Sequence, residues 1–235
     1  MQKVQDLQIG SFGLSESNTN VQLTLYQFLT KSRVKGGFPQ FHVVMGACKD
    51  EMDSSKRHGG VLMEASLGHE RRIRKSGVDQ DGMGSFLYVT MEAAGGNKLT
   101  TILVYRPCAG RVDASGSTIW KQQWSRLQKM GKGEDYDPRT AIIFDIGNFL
   151  DTRRYHDIII GGYFNGVPMK GEIDKHGTIT SLTAAFGLLD VHAELNEGLH
   201  QKTYYHGTRR INHIYFSDWL LIENLVLQKN IREFD

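Results

Sequence analysis

Two short apolar runs separated by a long helical stretch constrain the fold of this chain more than any other feature. The runs LTTILVYR (99–106) and DIIIGGYF (157–164) are rich in β-branched residues, which favour strands. About fifty residues lie between them, most of which predict helix, so the connection is a crossover and not a hairpin. The sequence therefore predicts an α/β or α+β chain in which helices cover a sheet.

The other segments that are bounded by turn residues predict a sheet-rich chain with interleaved helices. Short apolar segments alternate with many of the 26 glycines, and they predict further strands or helix segments at 21–30, 41–46, 59–66, 85–92, 203–206 and 210–217. Helices are predicted at 117–130, 141–154 and 180–195. The first of these has apolar residues that recur at helical spacing.

Composition restricts the function only weakly. The 28 Lys and Arg residues nearly balance the 26 Asp and Glu residues, so net charge neither favours nor excludes a polyanionic partner. Cys48 and Cys108 are too few for a disulfide framework, which predicts a reducing compartment. The start, MQKVQDLQIG, has no apolar signal core, and the later apolar runs are short and charged. We therefore expect one intracellular domain over 1–235, cytoplasmic or nuclear, with no membrane span.

Several side chains that can carry chemistry follow or end predicted strands. They are Glu16, Tyr105, Arg106, Asn165, Asn212 and His213. Strand ends bring such acid, phenol, amide and imidazole groups to the rim of a sheet, where binding and catalysis are concentrated. A lone Asn165 after a glycine pair is most simply a turn cap, but the other groups favour a functional site.

The order of the motifs resembles the endonuclease/exonuclease/phosphatase superfamily, the DNase I-like proteins. The motifs are L-x-E-x-N, V-Y-R-P, G-G-x-F-N, G-L-L-D-V, T-Y-x-x-G and R-I-N-H-I-Y-F-S. The phrases HERRIRKSGVDQDGMGSF and DPRTAIIFDIGNFL are more narrowly similar to the endonuclease-like domain of retroelement-derived proteins. The resemblance implies a four-layer α/β sandwich, with two mixed β-sheets packed face to face and helices outside.

The resemblance also implies cleavage of phosphoester bonds with a divalent metal, Mg²⁺ or Mn²⁺. By position, Glu16 matches the metal-binding glutamate, Tyr105 the tyrosine against the scissile phosphate, and Asn165 the asparagine that orients water or phosphate. Tyr163 and Asn212 stand where the family has aspartates. A phenol with a pKa of about 10 does not replace a carboxylate at neutral pH, and an amide does not stabilise a histidine cation.

These substitutions predict an impaired phosphodiesterase of the nuclease type, acting on nucleic acid with DNA favoured over RNA. The family's first strand and its C-terminal S-D-H segment are also expected to be missing. One alternative is an active Mg²⁺-dependent nuclease in which Asp190 or His213 moves into the site. Another is a non-catalytic module that binds nucleic acid.

The segment HERRIRK (69–75) is the strongest local concentration of positive charge. We predict that it binds nucleic-acid phosphates, although a solvated basic strand or loop is nearly as consistent with the pattern. The predicted contacts are Arg71, Arg72, Arg74 and, at the end of strand 99–106, Arg106. Loss of terminal strands from a sandwich also predicts self-association through exposed sheet edges.

Overall fold

The computed structural model describes residues 11–16, 42–49, 60–65, 70–93, 95–110, 118–166, 179–195 and 210–218, together with residues 112, 203 and 220. Its strands are β1 (Ser11–Ser15), β2 (His42–Gly46), β3 (Val61–Ala65), β4 (Ile73–Val78), β5 (Phe86–Glu92), β6 (Lys98–Tyr105), β7 (Asp157–Tyr163), β8 (Leu188–Asp190) and β9 (Asn212–Ser217). Its α-helices are α1 (Ile119–Lys129), α2 (Pro138–Asp151), α3 (Ile179–Ala185) and α4 (Val191–Leu195), and a 3-10 turn covers Glu70–Arg72.

The described strands form two sheets. The smaller sheet has the order β1-β3-β2, and both of its pairings are antiparallel. The larger sheet has the order β4-β5-β6-β7-β9-β8. Its central pair, β6 and β7, is parallel, whereas its other pairings are antiparallel. The mixed arrangement that was expected for both sheets is therefore present in the larger one.

The crossover between β6 and β7 is confirmed, and α1 and α2 form it. Thr118 caps the start of α1 by accepting a hydrogen bond from the Lys121 backbone N–H at 3.3 Å. The Asp137 carboxylate caps α2 by accepting from the Arg139 N–H at 3.0 Å, and Pro138 occupies the first turn. These start signals explain why α2 begins three residues before the predicted helix at 141.

Apolar residues of the larger sheet form two cores, one on each face. Ile102 and Val104 of β6 pack with residues of the helices, such as Ile142. Leu103, which alternates with them, packs with residues of the smaller sheet, such as Val61. The two sheets therefore pack face to face, and helices cover the outer face of the larger sheet.

The predicted helix at 180–195 is wrong as a single element. The chain instead forms α3, the short strand β8 and α4. Gly187 has a φ of 58°, which ends the helical path and allows the chain to turn into the sheet. The strand or helix segment predicted at 21–30, and all but residue 203 of the one predicted at 203–206, lie outside the described residues.

Cys48 is buried and Cys108 is exposed, and the two cysteines form no disulfide bond. Among the described helices, none combines the length and the hydropathy that crossing a membrane requires.

Candidate active site

Three side chains from the predicted site lie side by side across the larger sheet. Tyr105 ends β6 and pairs with Tyr163 at the end of β7, which in turn pairs with Asn212 at the start of β9. Residues in register on neighbouring strands share a face, so all three belong to the face that meets the smaller sheet. The two tyrosine rings meet edge to face, with centroids 6.3 Å apart. We call Tyr105, Tyr163 and Asn212 the polar row.

Gly162, the second glycine of the pair before Tyr163, is required by the backbone. Gly162 has a φ of 137°, and a Cβ at this position would lie 2.0 Å from the Val104 carbonyl oxygen of β6. A side chain is therefore excluded on steric grounds as well as by the φ angle. Gly162 allows β7 to stay paired with β6 until Tyr163 reaches the end of the sheet.

Glu16 reaches the polar row because β1 lies against β6. The Ser15 hydroxyl donates to the Val104 carbonyl oxygen at 3.0 Å, which ties the end of β1 to the end of β6. Glu16 follows with a φ of 64°, and its backbone N–H donates to the Gly60 carbonyl oxygen at 2.8 Å. The sequence predicted a functional Glu16, and the fold places this exposed residue beside Tyr105.

The environment of Tyr105 keeps its phenol protonated. The side chain is 5% exposed, and this burial is the largest cause that raises the pKa of the hydroxyl. The negative charge of Glu16 and a hydrogen bond to its carboxylate raise the pKa further. Tyr105 therefore acts as a hydrogen-bond donor to Glu16 at neutral pH, and it is not a base.

Asn165 is engaged in holding two chain segments together. Its side-chain amide donates to the Arg106 carbonyl oxygen at 2.6 Å. The backbone carbonyl oxygen of Asn165 accepts a hydrogen bond from the Arg139 guanidinium at 3.0 Å. The residue has a φ of 46°, a left-handed conformation that asparagine tolerates better than most residues. These contacts support a structural role for Asn165 at the end of β7.

Arg106 is also an internal residue. Its side chain is completely buried, and its Nε donates to the backbone carbonyl oxygen of Arg139, in the first turn of α2, at 3.2 Å. The surface contact with nucleic acid that was predicted for Arg106 is not supported by this burial. The sequence did not predict the contacts of Arg139 with Arg106 and Asn165, since nothing in the neighbouring sequence distinguishes Arg139 from other arginines in the first turn of a helix.

The acid and the imidazole that were considered as replacements lie on the other face of the larger sheet. His213 follows Asn212 in β9 and therefore faces the helices, where it packs against Phe164 and its Nε2 is 3.0 Å from the Gly166 carbonyl oxygen. The Asp190 carboxylate forms a two-point ion pair with buried Arg210. Neither group contacts the polar row.

The buried ion pair determines the charge state of Asp190. Burial would raise the pKa of its carboxyl, but contacts with the His213 ring and with the Arg210 guanidinium hold that pKa well below its usual range. Asp190 also accepts from the backbone N–H of His192 at 3.0 Å and so caps α4. The G-L-L-D-V and R-I-N-H motifs thus meet through a salt bridge that joins the end of β8 to the residues just before β9.

The fold resembles that of several solved structures. No family model matches the sequence, and no curated protein matches it. The catalytic domain of human Nocturnin, solved with bound sulfate, aligns with a TM-score of 0.56 and 15% identity over 92% of this chain and 72% of that one. A mannosyl-6-phosphatase from Bacteroides thetaiotaomicron aligns with a TM-score of 0.53 and 13% identity, over 93% and 74% of the two chains. An endonuclease/exonuclease/phosphatase family protein from the same organism gives 0.52 and 14%, over 92% and 72%.

The chain has the DNase I-like fold.

The metal dependence that the sequence resemblance implies for this DNase I-like chain can be tested on the donors at the polar row. Magnesium in proteins takes oxygen ligands, commonly one or two carboxylates together with substrate phosphates and water. In the described ranges, no group of three or more His, Cys, Asp or Glu side chains is placed to hold a metal ion. At the row, the Glu16 carboxylate is accompanied by protonated Tyr105, a second phenol and an amide. These described side chains do not by themselves fit a metal centre.

The basic segment of the DNase I-like chain lies at the other end of the larger sheet. Arg71 and Arg72 are exposed in the 3-10 turn that precedes β4. Arg74 is half-exposed, and its Nε donates to the Glu92 carboxylate at 3.1 Å. The start of β4 pairs with the end of β5, beside the start of β6, so these cations lie roughly 20 Å from Tyr105 at about 3.3 Å per strand residue.

Proposed function

We propose that this chain is a DNase I-like domain of the phosphoester-hydrolase type that binds nucleic acid and whose own cleavage activity is impaired. The polar row carries this proposal. Three neighbouring strands present two phenols and an amide, while the resemblance gives the positions of Tyr163 and Asn212 to aspartates. An origin in a retroelement endonuclease belongs to the same proposal and is supported by the motifs alone.

The phosphoester class is supported by what the fold neighbours are named for. One is a phosphatase that acts on a phosphorylated mannose, and another holds a sulfate anion, which has the tetrahedral shape of phosphate. Among the residues that the structure describes, Glu16 is the carboxylate that contacts the row, through Tyr105. Within those residues, a single carboxylate leaves no second carboxylate to prepare a water molecule, which is the physical reason for the expected loss of activity.

Nucleic acid is supported as the ligand by the exposed arginines before β4. Arg71 and Arg72 are free of burial and lie beside Arg74, so they can reach a phosphate backbone. We expect binding of single-stranded or duplex DNA that weakens steeply with salt. Arg71→Gln/Arg72→Gln should lower the slope of log Kd against log salt by about 2, because two counterion-releasing contacts are lost. Lys129→Gln, which removes an exposed cation from the last turn of α1, is the control.

A nicking assay on supercoiled plasmid with Mg²⁺ or Mn²⁺ tests the impairment. Wild type is expected to cleave no faster than Glu16→Ala. The double change Tyr163→Asp/Asn212→Asp returns carboxylates to the row, and we expect it to raise both cleavage and the affinity for Mn²⁺ measured by calorimetry. Tyr163→Phe/Asn212→Ala is the control, since it alters the same positions without adding charge.

An active enzyme is the second candidate, and the contact of Glu16 with Tyr105 favours it, because both residues match positions of the family's site and lie together. Robust cleavage by wild type that is abolished in Glu16→Ala would establish this candidate and refute the impairment. Unchanged Mn²⁺ affinity in the double carboxylate variant would refute the explanation through the polar row.

A further inference from the structure

A cavity with a basic lining lies at the end of the larger sheet opposite the polar row. Its volume is about 440 Å³, within the range of small-molecule sites. It opens where β6 and β7 begin, beside the start of β4 and the segment that follows α2. Its lining residues are Arg74, Lys75, Thr90, Lys98, Thr152, Arg153 and His156. The proposed phosphoester chemistry at Glu16 and Tyr105 makes no use of this cavity.

The charge of the lining is strongly positive. Four of its residues are Lys or Arg and a fifth is His156, and in the described part of the chain no carboxylate lines it. Two carboxylates lie nearby: Glu92 forms an ion pair with Arg74, and Asp157 follows His156. Both lie outside the lining, and the four Lys and Arg residues of the lining exceed these two carboxylates by two charges.

The imidazole of His156 is held in place by a chain of buried hydroxyls. Its Nδ1 is 2.8 Å from the Thr100 hydroxyl, which is 2.9 Å from the Thr90 hydroxyl. Thr90 and Thr100 are almost completely buried, so this chain is fixed within the sheet. Burial and the charges of Lys98 and Arg153 lower the pKa of His156.

Arg153 is held just as firmly. Its guanidinium lies over the Phe149 ring at 3.5 Å and over the Tyr88 ring at 4.9 Å. Its Nη1 donates to the Phe149 carbonyl oxygen at 3.1 Å. Cationic and imidazole groups that are ordered before a ligand arrives lose little entropy on binding.

We propose that this cavity is a phosphate-binding pocket, in which Lys75, Lys98, Arg153 and His156 contact the phosphate oxygens and Thr90 and Thr100 orient the imidazole. Two sources of that phosphate share the chemistry, namely a nucleic-acid backbone and a free inorganic phosphate. The pocket lies beside the exposed arginines that precede β4, so a nucleic-acid chain that is bound to those arginines can also place a phosphate in the pocket.

Calorimetric titration of the full chain with inorganic phosphate, and separately with a short oligothymidylate, tests the pocket. Lys75→Gln/Lys98→Gln removes two exposed cations without disturbing the core, and we expect it to weaken binding by about tenfold. Lys129→Gln, at the end of α1 and outside the lining, is the control and should leave affinity unchanged. Binding of phosphate alone supports the pocket with a free anion as its source, and binding of the oligonucleotide alone supports it with a backbone as its source.

The pKa of His156, measured by NMR with His156→Gln to assign its signal, is the second readout. A bound phosphate offsets the neighbouring cations, so we expect it to raise this pKa in wild type and not in Lys75→Gln/Lys98→Gln. The proposal would be overturned if neither probe binds, if Lys129→Gln weakens binding equally, or if bound phosphate leaves the pKa of His156 unchanged.

Discussion

The backbone at Gly162, near the end of β7, leaves no space for a side chain. Its φ of 137° and the 2.0 Å approach of a Cβ to the Val104 oxygen predict that Gly162→Ala lowers the free energy of unfolding by about 3 kcal/mol or more. Urea denaturation measures this change. Gly161→Ala is a matched control, since its Cβ would lie 3.7 Å from Ile214, and we expect a change within about 1 kcal/mol.

The pair of Arg210 and Asp190 is a second prediction at this scale. The Arg210 side chain is 4% exposed and that of Asp190 is 16% exposed, so removal of one partner leaves an uncompensated buried charge. Asp190→Asn should lower the free energy of unfolding by about 3 kcal/mol. Asp151→Asn breaks the exposed pair with Arg154 and should cost at most about 1 kcal/mol. Similar losses from the two variants in chemical denaturation would contradict this prediction.

The same pair makes stability depend on pH in the acidic range. Because the pKa of Asp190 is lower in the folded chain than in the unfolded chain, the stabilisation is present above the unfolded pKa of about 4. It is lost as the pH falls through the folded pKa. Acid unfolding of Asp190→Asn should therefore show a weaker pH dependence below pH 4 than acid unfolding of wild type.

At the scale of elements, α2 packs a carboxyl against the turn between β4 and β5. Burial is the main cause that raises the pKa of Asp145 to about 7, and the charges of Asp81 and Asp79 add to it. Burial also raises the pKa of Asp79 to about 6, although its carboxylate accepts from the backbone N–H groups of Met83 and Gly84. The interface between the helix and the turn therefore contains two carboxyl groups, Asp145 and Asp79, whose raised pKa values keep part of each protonated near neutral pH.

The contact between α2 and this turn should weaken as pH rises. The folded chain holds a proton on Asp145 that the unfolded chain releases above about pH 4, so this stabilisation falls between pH 4 and about 7. Asp145→Asn keeps the hydrogen-bonding shape without ionising. We expect its Tm, relative to wild type, to be several degrees higher at pH 8 than at pH 5. A constant difference in Tm across this range, measured by calorimetry, would rule out the mechanism.

At the scale of the whole molecule, we predict self-association through exposed sheet edges. In the described part of the chain, β1 is an edge strand of the smaller sheet, and its Leu14 is 53% exposed. We expect the mass measured by light scattering to rise with protein concentration, and Leu14→Lys to reduce that rise. Phe144→Lys is the control, because it removes an exposed apolar side chain from α2, away from any sheet edge. A constant monomer mass for wild type would contradict the prediction.

Much of the candidate site could be anticipated from strand ends, but its contacts could not. The pattern V-Y-R-P placed Tyr105 and Arg106 at the end of a strand, yet only the alternation of faces separated the tyrosine of the polar row from the buried arginine. The sequence signalled only one part of the phosphate pocket, namely Arg74 and Lys75 of the HERRIRK segment. It gave no signal for the rest, since Lys98 and His156 lie far apart in the chain and meet only because β6 and β7 are parallel.

By itself, the sequence determined the elements whose signals are local. The β-branched runs, the helical spacing at 117–130 and the glycine pair before Tyr163 follow from backbone preferences and periodicity, which act over a few residues. Tertiary structure alone decided which strand ends became neighbours, and on which face Asn212 and His213 lie. Register and packing depend on contacts between chain segments that are distant in sequence. Only these contacts determine whether a charged side chain lies in the site, in the core or on the surface.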